Sequence, residues 1–382
     1  MKKFRLRQED KSMPAILSVS TEIPPYTIAQ EETEAIVREL FRESFTDIDR
    51  MMKIFGNSQI ERRNFVVPKE WFEKDHSFEE KNDLYIKEAV RLGCGAIRTC
   101  LAPSEFLTEA VPFEDIDAII LVSSSGFSTP TIDAKIMNEL PFSPHTKRIP
   151  IWGLGCAGGA VGMSRAYEYC RAYPDAKVLV VCIELCSITF QRNDTRKSNL
   201  VGTSLFADGV ACALVTGDEA VNTGKPKLPA LPTIHGTQST LMPDSEDVMG
   251  WDIKNSGLHV IFSRDIPSII RDWLRPNVET FLAQQELKHE DIHYFVAHPG
   301  GRKVLEAYET ALNYSEQMTE IPRQVLTNNG NMSSPTVLYV LKDIMLQQPS
   351  AGSQGIMTAL GPGFSSELLH LIWEGSPCSS GH

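Results

Sequence analysis

Apolar positions along this chain follow two periods. Short unbroken apolar runs at 118–122, 177–183 and 209–215 read as strands buried on both faces. A shorter strand is expected at 15–19, ended by Pro24 and Pro25. Apolar residues three or four apart predict helices over 30–45, 47–63, 77–100 and 131–140. Residues 149–160 read as a strand, a glycine-rich turn and the start of a helix running to about Ala172. The stretch 191–199 is polar and charged, and is expected to be a loop.

The pattern then repeats. Glu114-Asp115-Ile116 precedes the strand at 118–122, and Glu290-Asp291-Ile292 precedes a strand at 293–297. The distance from Glu114 to Cys156 is within one residue of that from Glu290 to Asn331, and both end at a glycine-rich turn feeding a helix. A helix at 334–346 and strands at 354–360 and 367–373 mirror the later elements of the first half. Four elements in the same order and spacing indicate a duplicated α/β unit with sheets covered by helices. The expected division is a tail at 1–13, halves at 14–222 and 223–374, and a tail at 375–382. Gly, Pro, Lys and Asn between 217 and 230 mark the joint.

A formal net charge of -12 argues against non-specific nucleic-acid binding, which needs a basic surface. No secretory leader and no apolar run of spanning length is visible, so a cytosolic protein is expected. In that compartment most of the eight cysteines should be reduced. Cys182 and Cys212 lie in strand-like runs, and Cys378 lies in the tail as an exposed, idle thiol. None has zinc-ligand spacing, and the glycine-rich turns lack nucleotide-binding spacings, so no metal or resident cofactor is expected.

Three positions invite chemistry. Cys156 sits where a helix begins, a place that stabilises a thiolate, with glycines on either side to let a substrate approach. A small buried cysteine in tight packing is the plain alternative. His298, in Ala297-His298-Pro299-Gly300-Gly301, ends a strand and reads as a base or as a core histidine. Asn331, in Gly330-Asn331-Met332-Ser333-Ser334-Pro335, reads as a donor or as a helix cap. If the halves pack about a pseudo-twofold axis, the three turns converge.

Taken together with Gly361-Pro362-Gly363-Phe364, these motifs resemble the type III polyketide synthases, the chalcone synthase-like branch of the thiolase superfamily. The resemblance runs from about residue 14 to residue 374, and in texture is nearest to bacterial alkylpyrone synthases. It implies a layered αβαβα thiolase-like fold and a homodimer. It implies that Cys156 carries the starter acyl group, with His298 as its imidazolium partner. His298 and Asn331 would donate to the thioester oxygen of malonyl-CoA during decarboxylation. Phe206 matches the family's gatekeeper phenylalanine. Ser124, Thr129, Thr189, Val260, Ser333 and Leu360 match cavity positions. Arg50 and Lys53 match coenzyme A phosphate contacts, Asn57 departs from a lysine there, and Arg302 and Lys303 stand ready to compensate.

Thr129 and Val260 are smaller than their plant counterparts, while Trp251 stands where those enzymes have glycine. A roomier cavity points to a medium- or long-chain fatty acyl-CoA starter and alkylpyrone products. Three alternatives remain at this stage. They are a 3-ketoacyl-ACP synthase III-like enzyme fed by an acyl carrier protein, a Cys-His-Asn hydrolase, and a non-catalytic acyl-binding protein.

Overall fold

The computed structural model describes residues 13–43, 47–263 and 265–376. The expected tails therefore lie, but for Met13, Gly375 and Ser376, outside the described residues, as does Cys378. Among the described residues thirteen strands occur in chain order. They are β1 (Ala15–Glu22), β2 (Tyr26–Ala29), β3 (Arg62–Phe65), β4 (Ala118–Val122), β5 (Lys147–Ile151), β6 (Lys177–Leu185) and β7 (Asp208–Thr216). After the joint come β8 (Ala230–Leu241), β9 (Met249–Lys254), β10 (Gly257–Phe262), β11 (Tyr294–Ala297), β12 (Gln354–Gly361) and β13 (Ser365–Gly375).

Nine strands form one sheet in the order β11-β12-β13-β8-β1-β7-β6-β4-β5. The duplication is written in that order. In the first half β1 pairs antiparallel with β7, β7 antiparallel with β6, and β6 parallel with β4. In the second, β8 pairs antiparallel with β13, β13 antiparallel with β12, and β12 parallel with β11. The halves meet where β1 and β8 pair at Ala15 and Thr233. β6 and β7 are buried along nearly their whole length, as their unbroken apolar runs require. Because β6 lies inside the sheet, its apolar run needs no partner subunit to cover it.

Two helices form the middle layer. Gly158–Ala172 packs on β4 and β6 and also on β12 and β13. Thr336–Leu346 packs on β11 and β12 and also on β1 and β7. The latter is buried almost all round, which accounts for its continuous apolar sequence. Outside, the helix Phe78–Leu101 covers β1, β6 and β7. Its start is set by a capping box in which Ser77 and Glu80 satisfy each other's backbone N–H groups. The helices Arg275–Gln284 and Arg302–Leu312 pack a second core against β11, β12 and β13. The result is the layered αβαβα arrangement.

Three expectations are corrected. The helix expected over 47–63 ends at Asn57, because Gln59 takes a left-handed φ of 61° and turns the chain into β3. Arg62 and Arg63 are therefore strand residues, and Arg63 is 1% exposed rather than on a solvated face. The helix expected over 30–45 is described as Gln30–Phe41. Within 191–199, a helix starts at Lys197 and runs to Leu205. Its buried side is Asn199, Leu200, Gly202 and Ser204, one large apolar residue among small or polar ones, which leaves no apolar stripe to read.

The two middle helices begin in contact. A Cβ at Gly159 would lie 2.3 Å from the Ser334 carbonyl oxygen and 2.7 Å from Val337 Cγ1. Only a residue without a side chain allows that approach. We predict that Gly159→Ala lowers stability by about 1–3 kcal/mol through overpacking. Urea unfolding checks this, and an unchanged midpoint would refute it.

Candidate active site

Cys156 lies in a single tight turn, Gly155–Ala157, that runs straight into the helix Gly158–Ala172. Gly155 takes a φ of 45°, a left-handed conformation that favours glycine. The Ser124 hydroxyl accepts hydrogen bonds from the Gly153 and Gly155 N–H groups at 3.3 and 3.2 Å, and so fixes the turn. The flanking glycines serve packing rather than substrate approach. Their missing side chains make room for Pro362 at Gly155, Val122 at Gly158 and Ser334 at Gly159.

Asn331 comes from the other half. Its backbone bridges Phe206, with Asn331 N–H to the Leu205 carbonyl and Ala207 N–H to the Asn331 carbonyl, each at 2.9 Å. Its side chain is oriented from both ends. Oδ1 accepts from the Ser333 N–H at 2.8 Å, and Nδ2 donates to the Gly300 carbonyl at 3.1 Å. The Cys156 Sγ lies 3.8 Å from Asn331 Oδ1. An amide nitrogen carries two hydrogens, so one donor of Nδ2 is left over for a ligand.

His298 follows β11, with its N–H donating to the Thr358 carbonyl at 2.8 Å and its own carbonyl accepting from the Gly300 N–H at 3.1 Å. It is 2% exposed, and neither ring nitrogen has a hydrogen-bond partner among the described residues. A buried imidazole without partners costs free energy unless a ligand or reaction uses it. Through Gly300, its turn is tied to the Asn331 amide. The three turns therefore come from separate elements to one region.

Burial sets the electrostatics. It pushes the Cys156 thiol up to about 11, although contacts with Ser333 and Asn331 work the other way. It pushes His298 down to about 3. Burial thus holds both as neutral groups, against the thiolate that the helix start alone favours. Glu184 lies beneath the nucleophile turn, with Oε2 accepting from Ser124 N–H and Oε1 from the Ser334 hydroxyl, each at 3.0 Å. Burial lifts its carboxyl to about 7.

Cys156 opens on a cavity of about 350 Å³ shared with Ser333, Trp251, Val260 and Pro362. Behind it lies a second cavity of about 640 Å³, lined by Ile28, Ile36, Val37, Leu40, Phe65, Phe72 and Thr189 among others. Cys186, Phe206, Trp251 and Val260 line both. Phe206 thus stands between the two, its ring 6.2 Å from that of Trp251 and 6.4 Å from that of Phe262.

Three expected cavity residues, Thr129, Leu360 and Ser124, line neither cavity. Thr129 is exposed, because the loop after β4 carries it to the outer surface before the helix Ile132–Glu139 begins. Leu360 packs in the second core, and Pro362, two residues on, reaches the Cys156 cavity instead. Ser124 lies beneath the Cys156 turn. Arg50 and Lys53 are exposed on one face of the helix Ile48–Asn57. Lys303 is exposed, while half-buried Arg302 lies 3.6 Å from Glu306.

Sequence reasoning missed Arg63. Its Nη1 donates to the Thr203 and Phe206 carbonyls at 2.6 and 2.7 Å, and its stem packs on Gly330. It therefore holds the segments of Phe206 and Asn331 against each other. Burial lowers its guanidinium to about 9, with Asp208 opposing. Asp208 in turn accepts from Val66 N–H at 2.7 Å and Ser187 N–H at 2.6 Å. Reading Arg63 as helical hid it. The strand is four residues long, and three of them are polar.

Comparison with known proteins agrees. The family model for chalcone and stilbene synthases matches with its N-terminal domain over residues 1–219 and its C-terminal domain over 233–372. A putative chalcone synthase of Bacillus subtilis is 52% identical, covering 95% of this chain and 99% of its own. The α-pyrone synthesis polyketide synthase-like Pks18 of Mycobacterium tuberculosis is 29% identical, covering 93% and 90%. The crystal structure of 1,3,6,8-tetrahydroxynaphthalene synthase from Streptomyces coelicolor, a bacterial type III polyketide synthase, superposes with a TM-score of 0.86. It is 28% identical, over 94% of this chain and 99% of that one. The fold is thus the thiolase-like αβαβα fold of condensing enzymes. Within that class the chain belongs to the chalcone and stilbene synthase family, and is a type III polyketide synthase, an enzyme of the transferase kind.

The site allows a signed test. We predict that His298→Gln shifts the pH profile of iodoacetamide alkylation at Cys156 upward from the native one, because the variant has no imidazole to take the thiol proton. The native profile should lie lower, because an imidazolium stabilises the thiolate. Coincident profiles would refute the partnership.

Proposed function

We propose that this enzyme loads a medium- or long-chain fatty acyl group from coenzyme A onto Cys156 and extends it with malonyl-CoA to alkylpyrones. The observation that carries the reading is the apolar cavity behind the Phe206 wall, next to the nucleophile. His298 takes the Cys156 proton, and the thiolate attacks the starter thioester, releasing coenzyme A. Malonyl-CoA then places its thioester oxygen against the free N–H of Asn331 and the His298 ring. Loss of carbon dioxide leaves an enolate that these donors stabilise. The enolate carbon attacks the Cys156 thioester, and the chain grows by two carbons. Phe206 acts as the gate and limits water access to the acyl-enzyme.

Arg50, Lys53, Arg302 and Lys303 are proposed to meet the coenzyme A phosphates, as exposed cations suited to that role. No resident metal or cofactor enters this scheme. Among the described residues no helix is long and apolar enough to cross a membrane. We place the enzyme in the cytosol, where its thiols stay reduced.

The fatty acyl reading follows from shape and surface. A chain in the second cavity meets Ile36, Val37, Leu40 and Phe72 on its apolar side, with Thr33, Thr189 and Thr203 among the polar residues of the wall. Each buried methylene adds roughly 0.8 kcal/mol. Activity should therefore rise with starter length until the cavity is filled. The α-pyrone assignment of the mycobacterial relative favours the same product class.

The decisive experiment supplies acyl-CoAs of graded length with malonyl-CoA and identifies the products. Fatty starters should give alkylpyrones, and Val260→Phe should shorten the preferred starter or reduce the number of extensions. Cys156→Ala should abolish covalent loading and condensation. Asn331→Ala should slow malonyl-CoA decarboxylation roughly 10²–10³-fold and spare Cys156 acylation. Coumaroyl-CoA outcompeting every fatty acyl-CoA would overturn the starter.

We also propose a homodimer. Trp152, just past edge strand β5, is 45% exposed and stacks on Phe127 with ring centroids 4.9 Å apart. An exposed aromatic pair beside a sheet edge suits an interface. Sedimentation should give about twice the chain mass of 42.6 kDa, and a stable active monomer would remove this part of the reading.

A further inference from the structure

A second constellation lies away from Cys156. β9 and β10 form a hairpin whose two-residue turn is Asn255-Ser256. Ser256 is exposed at its tip, and its hydroxyl lies 2.7 Å from His259 Nε2. His259 Nδ1 lies 3.1 Å from Asp194 Oδ2. The side chains of His259 and Asp194 are 11% and 6% exposed. Alternation along β10 separates this group from the polyketide site, because Val260 lines the Cys156 cavity whereas its neighbour His259 lines another.

We propose that Ser256, His259 and Asp194 form a second, hydrolytic site for carboxylic esters. A nucleophile within hydrogen-bond reach of a base, itself oriented by a third group, is the geometry such chemistry needs. The tautomer follows from the contacts. Arg196 Nη2 lies 3.2 Å from His259 Nδ1, but makes its shorter bond to Asp194 Oδ2 at 2.6 Å. Burial works against the Asp194 charge, but the Arg196 hydrogen bonds outweigh it and hold the carboxyl at about 2. The ionised carboxylate accepts the Nδ1 hydrogen, which leaves Nε2 to accept from the Ser256 hydroxyl.

The site faces an open cavity of about 1030 Å³. Lys74, Lys81 and Arg192 line it alongside Asp75 and Asp194, and positive charge there suits a developing oxyanion. Ser256 Oγ bonds to the ester carbonyl carbon as its proton passes to His259 Nε2. The ester C–O bond breaks, and the departing alcohol takes that proton. Water, deprotonated by His259, then attacks the acyl-serine and releases the carboxylic acid and the serine.

The test uses full-length Cys156→Ala protein, so that Cys156 contributes nothing. A biotinylated fluorophosphonate should form an adduct mapped to Ser256 by mass spectrometry. Hydrolysis of p-nitrophenyl acetate should fall at least tenfold in Ser256→Ala, and about 100-fold in His259→Gln, the size of a lost general base. Asp194→Asn should lower the labelling rate as well. Ser256→Ala in the protein that retains Cys156 should leave polyketide formation unchanged, which confirms an intact hairpin. No adduct at Ser256, a hydrolysis rate indifferent to Ser256→Ala, or labelling that His259→Gln does not slow would each overturn the proposal.

Discussion

A methyl group added at Gly159 would lie 2.3 Å from the Ser334 carbonyl oxygen, and one at Gly158 would lie 2.5 Å from Val122 Cγ1. The first contact sets how near the start of one middle helix comes to the start of the other, and the second how closely it sits on β4. Cys156 precedes the first helix by two residues, and Asn331 precedes the second by five. Their side chains can meet across the two halves only because the helix ends that carry them are packed without intervening side chains. A duplicated fold gives the symmetry, and glycine at the axis gives the distance. The catalytic geometry is thus a by-product of packing density in the middle layer.

A second layer of constraint surrounds that contact. The Phe206 segment is held by the Asn331 backbone on one side and by the Arg63 guanidinium on the other. A buried arginine is costly unless its hydrogen bonds and charge are answered. Here two carbonyls take its Nη1, and Asp208 lies close enough to favour its charge. Asp208 also gathers the backbone at Val66 and Ser187, next to Cys186 in the shared cavity wall. The Phe206 segment, Asn331 and the cavity wall are therefore parts of one polar network inside an otherwise apolar region. A change at any member is felt at the others, since such networks tolerate partial satisfaction poorly.

How much of this was legible depended on what each residue had to signal. β6 and β7 announce themselves because strands covered on both faces need unbroken apolar runs. The repeat of Glu-Asp-Ile ahead of β4 and β11 marks the duplication for the same local reason. Cys156 and Asn331 stand out because glycine-rich turns flank them. Arg63 gave no such signal. A charged residue in a polar quartet reads as solvent-facing, and only its distant partners at Thr203, Phe206 and Asp208 reveal it as buried. Ser124, Thr129 and Leu360 match family cavity positions but line neither cavity of this chain, because matching a family position does not say where a side chain points. Strand alternation in β12 and the path of the loop after β4 decide that. The helix Lys197–Leu205 escaped notice because it packs through small and polar residues, not an apolar stripe.

Dryness has opposite effects on the three groups at the centre. It raises the Cys156 thiol to about 11, lowers His298 to about 3 and raises Glu184 to about 7. In each case the uncharged form is favoured. A resting site of neutral groups is compatible with an apolar acyl chain nearby, whereas isolated charges would have to be desolvated beside it. The proposed proton transfer from Cys156 to His298 would make two opposite charges together, and their attraction would be large where the dielectric is low. The same environment that disfavours either ion alone therefore favours the pair over separated charges. It also strengthens the hydrogen bond that Asn331 can offer to an enolate. The apolar cavity wall and the polar turns beside it are in this sense one design, because each sets the dielectric in which the other sits.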